Sequence, residues 1–270
     1  MHAPQRSELK DTQSEPDYRG IAIDRVGVKG LKYPIRVQEK GGSGQETVAT
    51  ITLTVDLPHH YKGTHMSRFV EILSGWGFEF SSRSLVDLLP ELMGRLDSAR
   101  AHVDVEFPFF VRKEAPASGA IGLMDYLVRF NATGEASECD LVTTVKVNVT
   151  TLCPCSKAIS ERGAHNQRGE VTFSARTDGF MWVEDMIEMV EQSASSELYS
   201  LLKRPDEKVV TERAYDHPVF VEDLVRNVAQ RAKDHDQILW YRIEAENFES
   251  IHNHNAYAMI VSDGRDEVAT

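Results

Sequence analysis

The sequence predicts an α+β fold in which antiparallel strands form a sheet with helices on one face. Several stretches alternate apolar with polar residues, as half-buried antiparallel strands do. Other stretches repeat apolar residues every three or four positions, as the buried face of a helix does. The order strand, strand, helix, helix, strand, strand occurs in both halves of the chain. We therefore predict two ββααββ modules in tandem.

The first module is predicted over residues 26–136. Its clearest strand signal lies at residues 49–57, where Ala49, Ile51 and Leu53 alternate with threonines. This period of two is typical of a strand with one buried face. The predicted strands are residues 30–38, 49–57, 103–111 and 120–132, and the predicted helices are residues 66–73 and 85–96, with Pro90 inside the second.

The second module is predicted over residues 137–270. Val145, Val147 and Val149 alternate with polar residues in its first strand. The predicted strands are residues 141–151, 170–176, 238–247 and 256–261, and the predicted helices are residues 182–202 and 219–234, separated by a break at Arg204-Pro205-Asp206.

The sequence also predicts an N-terminal tail, and the open sheet edges of the modules predict an oligomer. Residues 1–25 are polar and lack periodicity, so we predict a mobile N-terminal tail. A module with four strands leaves open sheet edges, which must be paired or covered. We therefore expect copies of the chain to assemble into a larger sheet or barrel.

Composition and charge exclude several classes of partner. The net charge of −12 argues against an extended contact with nucleic acid, because phosphate backbones attract extended positive surfaces. The polar start of the chain gives no sign of a signal peptide or a membrane span. Three cysteines without an export signal favour the reducing cytoplasm. Small anions could still bind at two basic clusters, which are Lys62, His65 and Arg68, and Lys157, Arg162 and Arg168.

A segment rich in metal-binding residue types follows the strand at 141–151. It begins with Cys153-Pro154-Cys155 and continues to His165. Because the Cys-x-Cys spacing is cramped for two ligands to one tetrahedral zinc, we expect only one cysteine to bind a metal. Cys153 is the better candidate, since the end of a strand fixes its direction, and we expect Cys155 to pack as a small apolar group.

Histidines and carboxylates elsewhere could complete a metal site. His165 lies in a polar loop, which favours a ligand or a surface residue over a core residue. His252 and His254 lie shortly before a predicted strand, and we expect them to face opposite ways, so that only one reaches a given metal. Composition does not choose among the carboxylates near the predicted helix break, which are Asp206, Glu207 and Glu212.

Several longer motifs resemble one known family. They are Lys62-Gly63-Thr64-His65-Met66-Ser67-Arg68-Phe69, Cys153-Pro154-Cys155-Ser156-Lys157, His165-Asn166-Gln167-Arg168-Gly169, Arg204-Pro205-Asp206-Glu207-Lys208, Thr211-Glu212-Arg213-Ala214-Tyr215 and Glu249-Ser250-Ile251-His252-Asn253-His254-Asn255-Ala256. In this order they closely resemble GTP cyclohydrolase IB, the metal-dependent bacterial branch of the type I cyclohydrolases within the tunnelling-fold superfamily. The resemblance covers nearly everything after residue 18.

The resemblance implies a fold, an assembly and a reaction. It implies tandem tunnelling-fold modules in a homotetramer, with active sites at subunit interfaces. The implied reaction converts GTP and water to 7,8-dihydroneopterin triphosphate and formate, at the entry to tetrahydrofolate synthesis. The implied cofactor is a divalent metal, either zinc or manganese, with iron also tolerated.

The resemblance also implies roles for individual residues. The metal ligands would be Cys153, His165, Glu207 and His252, and Glu222 would anchor the guanine edge. Cys153, as the thiolate on the metal, would also be catalytic. We expect the triphosphate to contact the cationic residues Lys62, His65 and Arg68. The candidates for proton transfer are His254, Glu249 and His65.

Two other functions remain open at the level of sequence. The nitrile reductase of queuosine synthesis, in the same superfamily, would use Cys153 as a covalent nucleophile without a metal. That alternative leaves His165 and His252 without a role. A non-catalytic metal-binding scaffold would close its site with four protein ligands, whereas an enzyme keeps a position open for water or substrate.

Overall fold

Paired strands dominate the structure, a computed structural model that describes residues 11–13, 15–77, 79–136 and 138–262. Its strands are β1 (Ile23–Val37), β2 (Gln45–Leu57), β3 (Glu79–Phe80), β4 (Arg100–Glu114), β5 (Ile121–Glu135), β6 (Glu138–Leu152), β7 (Asn166–Thr177), β8 (Ser196–Glu197), β9 (Ile238–Asn247) and β10 (Ala256–Val261). Its helices are α1 (Met66–Trp76), α2 (Ser82–Leu96), α3 (Pro154–Ile159), α4 (Val183–Glu191), α5 (Arg204–Asp216) and α6 (Val221–Lys233).

All of these strands belong to one sheet. The order is β10-β9-β7-β6-β5-β4-β2-β1-β3, and the short β8 pairs with β6 outside this path. Neighbours along the path are antiparallel except β3, which runs parallel to β1. The two halves of the chain meet where β5 and β6 form a hairpin. The predicted α+β class with a large antiparallel sheet is therefore confirmed.

One face of the sheet is buried beneath helices. Ile51 and Leu53 on β2 and Val145 and Val147 on β6 have no exposed surface. Burying such a side chain contributes roughly 1.5–3 kcal/mol. The helices supply the opposite half of this core through apolar stripes, which include Leu85, Leu88 and Leu92 of α2, Met186 and Val190 of α4, and Leu224 and Val228 of α6.

The other face of the sheet is polar and carries pairs between neighbouring strands. Lys146 on β6 lies 2.8 Å from Glu170 on β7. Arg129 on β5 pairs with Glu106 on β4. This division between an apolar and a polar face follows from the period of two in the strands.

The first strand begins earlier than predicted. β1 starts at Ile23, whereas the sequence pattern indicated residue 30. The pairing of β1 with β2 shifts register between Val28 and Leu31, and Gly30 has a φ of +77°. Such a bulge interrupts the alternation on which the sequence-based prediction depended.

Part of the predicted N-terminal tail contacts the rest of the chain. The Asp17 amide donates to the His60 carbonyl at 3.0 Å, and the Lys62 amide donates to the Glu15 carbonyl at 3.2 Å. Residues 1–10 and 14 lie outside the described residues, so the tail prediction is not tested there.

The helix predicted over residues 182–202 is too long. α4 ends at Glu191, and the chain then pairs with β6 through β8. Ser195 supports this pairing, because its amide donates to the Thr150 carbonyl at 3.1 Å and its hydroxyl accepts from the Leu152 amide at 3.0 Å. After Glu191, hydrogen bonds to β6 therefore take the place of the hydrogen bonds that would continue the helix.

The break predicted at residues 204–206 is instead the start of α5. Pro205 fits there because the first turn of a helix needs no amide donor from it. The Lys203 amide donates to the Asp206 carboxylate at 2.8 Å, which caps the helix. The sequence signal for a break was a signal for a helix beginning.

A buried charged cluster joins the two halves away from the hairpin. Lys113 on β4 lies 2.8 Å from Glu191 on α4 and 2.6 Å from Glu197 on β8, and its side chain is 9% exposed. Burial raises the pKa of Glu191, although Lys113 opposes that shift. Burial acts in the same direction on Glu197, but hydrogen bonds from Lys113 and Tyr199 lower its pKa below the usual range.

Replacing Lys113 should destabilise the fold strongly. In Lys113→Met, Glu191, whose side chain is 11% exposed, and the partly buried Glu197 would lose their common cation. Breaking a buried pair in this way costs about 3 kcal/mol or more. Lys32→Met is a matched control, because Lys32 is exposed and donates to Thr50 on the polar face. Urea denaturation of both variants measures the loss, and equal stabilities would contradict a structural role for the cluster.

Candidate metal and substrate site

A cavity of about 270 Å³ lies at one end of the sheet. There β6 ends, β7 begins, β9 ends and β10 begins, and the start of α6 forms one wall. The antiparallel pairing brings these strand ends together, since Leu152 pairs with Asn166 and Asn247 pairs with both Gly169 and Ala256. The lining residues are Cys153, His165, Gln167, Val219, Phe220, Val221, Glu222, Asn247, Glu249, His252, His254 and Ala256.

Cys153 is fixed at the junction of β6 and α3. Its amide donates to the His165 carbonyl at 3.1 Å, which extends the β6–β7 ladder by one step. Its Sγ accepts from the Ser156 amide at 3.4 Å, so the sulfur caps α3. Cys155 is exposed and is not among the lining residues, so the expectation that it packs as a small apolar group is wrong.

His165 is held from both its backbone and its ring. Its amide donates to the Ser156 hydroxyl at 3.2 Å. Its Nδ1 lies 3.0 Å from Oε1 of Gln167, whose Nε2 donates to the Thr151 hydroxyl at 2.9 Å. These contacts turn the predicted polar loop into an ordered part of the wall, and the ring faces the cavity.

Glu249, His252 and His254 come from the connection between β9 and β10. Both histidines line the cavity, and their rings stack with centroids 5.2 Å apart. The prediction that they face opposite ways is wrong: residues two apart share a face even in an extended strand. Residues 250–254 form bends, and the two rings still lie on the same side. Oε2 of Glu249 lies 3.5 Å from Nδ1 of His252 and 3.9 Å from Nδ1 of His165.

Asn247 and Gln167 belong to the cavity but were missed by the sequence analysis. Asn247 is 2% exposed, and its Oδ1 has no hydrogen-bond partner among the described residues. Gly169 makes room for it, because an added Cβ would lie 2.7 Å from that oxygen. Both amides occupy positions of the strand alternation that otherwise hold apolar residues, such as Ala245, and this signal could have found them.

Glu222 enters the cavity from the first turn of α6. Its side chain is exposed and lines the wall beside Phe220 and Val221. The neighbouring Asp223 accepts from the Phe220 amide at 3.3 Å and so takes the capping role. The Glu222 carboxylate is therefore not used to cap α6.

Glu207, the fourth ligand implied by the resemblance, is not brought to the cavity within one chain. It is exposed on α5, whereas the adjacent Asp206 is fully buried. Asp206 accepts from the amides of Ala117 and Ser118 and from the Ser118 hydroxyl. Burial would raise the pKa of Asp206, but these hydrogen bonds lower it well below the usual range.

The predicted triphosphate contacts also lie away from this cavity. Lys62 is 2.7 Å from Glu15, and Nε2 of His65 is 3.3 Å from Asp11. Arg68 donates to the Arg95 carbonyl at 3.3 Å. In one chain this cluster therefore contacts the N-terminal segment and α2.

The donor set of the cavity fits a divalent transition metal. The cavity lining carries one thiol, three imidazoles and two carboxylates, and these are ligand types used for zinc and related ions. Oε2 of Glu249 is buried without a hydrogen-bond partner in the described part of the chain. No group of three or more His, Cys, Asp or Glu side chains in that same part is already arranged to hold an ion.

No helix in residues 11–262, as far as they are described, is both long and apolar enough to cross a membrane.

Solved structures with the same fold include uricases. The uricase from Arthrobacter globiformis has a TM-score of 0.54 at 10% identity, covering 89% of this chain and 94% of that one. A hyper-thermostable mutant of that uricase has a TM-score of 0.52 at 10% identity, with 90% and 93% covered. At this identity the likeness concerns the fold alone.

Sequence comparison identifies the family. The chain is 59% identical over 261 residues to GTP cyclohydrolase FolE2 of Akkermansia muciniphila, covering 96% of this chain and 99% of the relative. It is 53% identical over 252 residues to GTP cyclohydrolase FolE2 of Nitrosococcus oceani, covering 93% and 94%. Residues 9–258 match the family model of type I GTP cyclohydrolase folE2. The chain therefore belongs to the type I GTP cyclohydrolase folE2 family.

Proposed function

We propose that this chain is a GTP cyclohydrolase that acts in folate biosynthesis and converts GTP and water to 7,8-dihydroneopterin triphosphate and formate. The observation that carries this proposal is the family match over residues 9–258. The cavity supports it, since it gathers Cys153, His165, Glu222 and His252 from four separate elements or connections. The match also counts against the alternatives of a nitrile reductase and a metal-binding scaffold.

Cys153, His165 and His252 would hold the metal, with Glu207 as the predicted fourth ligand. When bound, a zinc, manganese or iron ion would supply Lewis-acid activation of water near neutral pH. Because only one of these ligands is a thiolate, the site would discriminate weakly in favour of zinc. The exposed position of Glu207 means that this carboxylate would have to reach the cavity by movement or from another copy of the chain.

Glu222 would select the base. A carboxylate can accept two hydrogen bonds from guanine, one from N1–H and one from the 2-amino group. Adenine presents no such pair of donors, so it would leave the carboxylate unpaired. Val219 and Val221 beside Glu222 give the ring an apolar wall.

Glu249 and His254 would transfer protons during the reaction. Opening the imidazole ring breaks the bond between C8 and N9, and release of formate breaks the bond between C8 and N7, so both nitrogens must receive a proton. His254 is exposed at the outer side of the cavity, stacked on His252, and we assign it to proton donation. The Glu249 carboxylate, which is 12% exposed, would accept protons from water.

We further propose that subunits share the site. The two halves would act as tandem tunnelling-fold modules in a tetramer, and the cluster of Lys62, His65 and Arg68 would reach the triphosphate of a neighbouring subunit. Arg68 suits this role because its guanidinium can contact phosphate oxygens bidentately. Asp11 and Glu15 would have to release this cluster first.

Turnover of GTP by metal-stripped protein tests the proposed function. Protein treated with a chelator should be inactive and should regain activity with manganese or zinc. Formate release and fluorescence of the oxidised pterin measure the products separately. Activity that persists without metal would favour a cysteine nucleophile, and a lack of both products with every metal would refute the proposal.

The two neighbouring cysteines should differ in their effect on activity. Cys153→Ala should abolish turnover, since Cys153 faces the cavity at the end of β6. Cys155→Ala is the matched control and should keep most of the activity, because Cys155 is exposed on α3. Steady-state rates with GTP test this, provided that both variants fold. Equal losses of activity in the two variants would contradict the role assigned to Cys153.

Glu222→Gln should weaken GTP binding more than metal binding. The amide replaces an acceptor with a donor that faces the donors of guanine, so we expect a loss of roughly 2–4 kcal/mol. Glu212→Gln is the control, because Glu212 is exposed on α5 and pairs with Lys208. Calorimetric titration of GTP into both variants measures the difference. Unchanged GTP affinity in Glu222→Gln would be incompatible with this role.

Shared sites should allow two inactive variants to complement each other. A mixture of Arg68→Ala and Cys153→Ala subunits should recover some activity, since one interface in a hybrid would contain both intact residues. Mass spectrometry must show that the subunits exchange. No recovery in exchanged mixtures would mean that each site is built within one chain.

A further inference from the structure

A short chain of hydrogen bonds leads from the core to His165. Thr151, which is fully buried on β6, accepts from Nε2 of Gln167 at 2.9 Å. Oε1 of the same amide lies 3.0 Å from Nδ1 of His165. Thr151 and Gln167 are direct partners in the β6–β7 register, so the sheet itself holds them together.

The acceptor oxygens on one side of the His165 ring specify which ring nitrogen carries hydrogen. A carbonyl oxygen can only accept, so Oε1 of Gln167 requires a hydrogen on Nδ1. Oε2 of Glu249, another acceptor, lies on the same side of the ring at 3.9 Å from Nδ1. Two acceptors therefore face Nδ1, and Nε2 is left with its lone pair.

We propose that Gln167 is a positioning residue that keeps His165 in the Nδ1–H form and thereby presents Nε2 to the metal. The inference rests on the proposed function, because it assumes that His165 binds a metal. Hydrogen bonds of this kind on the second nitrogen orient histidine ligands and raise their basicity. Thr151 in turn holds the other end of the Gln167 amide in place.

Core packing alone does not explain a glutamine here. Gln167 is 8% exposed, and the next inward positions of β7 are Gly169, Val171 and Phe173. Burying an amide costs free energy unless both of its ends are hydrogen-bonded. Both ends of Gln167 are satisfied, one by the sheet through Thr151 and the other by a residue of the cavity.

The direct test is the tautomer of His165 in metal-free protein. Long-range ¹H–¹⁵N NMR on protein with labelled histidines separates the Nδ1–H from the Nε2–H form, and His165→Gln assigns the signal. The native protein should show Nδ1–H. Gln167→Met, which has a similar shape but no acceptor, should lose this preference, whereas Gln167→Glu should keep it. A native His165 in the Nε2–H form would overturn the proposal.

Metal affinity gives a second readout that does not depend on turnover. Competition with a chelator for zinc should show a loss of about 10- to 100-fold in Gln167→Met, as expected for the loss of such a partner. Thr151→Val should show a smaller loss. Thr143→Val is its matched control, because Thr143 is also buried on β6 but lies away from the cavity, and it should bind zinc as the native protein does.

The outcomes separate this inference from the proposed function. Native zinc affinity in Gln167→Met would overturn the positioning role even if GTP is turned over. Equal zinc affinities in Thr151→Val and Thr143→Val would mean that Thr151 does not contribute to positioning His165. If the native protein binds zinc and shows the Nδ1–H form but does not convert GTP, the proposed function fails while the positioning role stands.

Discussion

The register of β6, β7 and β9 is the constraint on which the candidate site depends. Pairing of Leu152 with Asn166 and of Gly169 with Asn247 sets the strand ends side by side. Because side chains alternate between faces, a slip of one residue would turn Gln167 and Asn247 to the polar face of the sheet. The apolar core that resists such a slip therefore also protects the chemistry at its end.

Polar residues on the inner face near the cavity replace apolar ones without disrupting the core. Thr151 and Gln167 satisfy each other, and Gly169 gives Asn247 the room that a side chain would fill. Elsewhere the buried charges of Lys113, Glu191 and Glu197 are also paired. By contrast, Asn247 and Glu249 keep oxygen atoms without partners in the described structure, and both lie at the cavity. Two of the four buried side-chain oxygens without partners in the described residues thus line the cavity, and the other two, on Thr54 and Glu184, lie elsewhere.

The sequence predicted those parts of the fold that depend on local periodicity. β9 and β10 have the predicted bounds, and α1 and α2 lie where their apolar stripes indicated. The missed features depend on partners distant in sequence. Nothing local shows that Ser195 bonds to β6, and a proline in Arg204-Pro205-Asp206 indicates a break as readily as a helix start.

The candidate site was predictable in its residue types but not in its geometry. The position of Cys153 after an alternating strand favoured it over Cys155 as a metal ligand, and Cys153 lines the cavity whereas Cys155 does not. The expectation that His252 and His254 face opposite ways misapplied the alternation rule, because residues two apart in a strand share a face. The second acceptor near His165, Glu249, could not be recognised as such, since its contacts depend on how the β9–β10 connection folds back.

The hairpin between β5 and β6 makes the two halves a single folding unit. Residues 127–135 pair with residues 138–146, so the chain crosses from one half to the other without leaving the sheet. Separating the halves there would leave both long strands with an unpaired edge, and Leu123 and Leu127 already expose apolar surface on β5. An exposed edge of that kind recruits other strands and promotes aggregation. Although the sequence predicts one order of elements in both halves, the chain is therefore poorly suited to being expressed as two separate fragments.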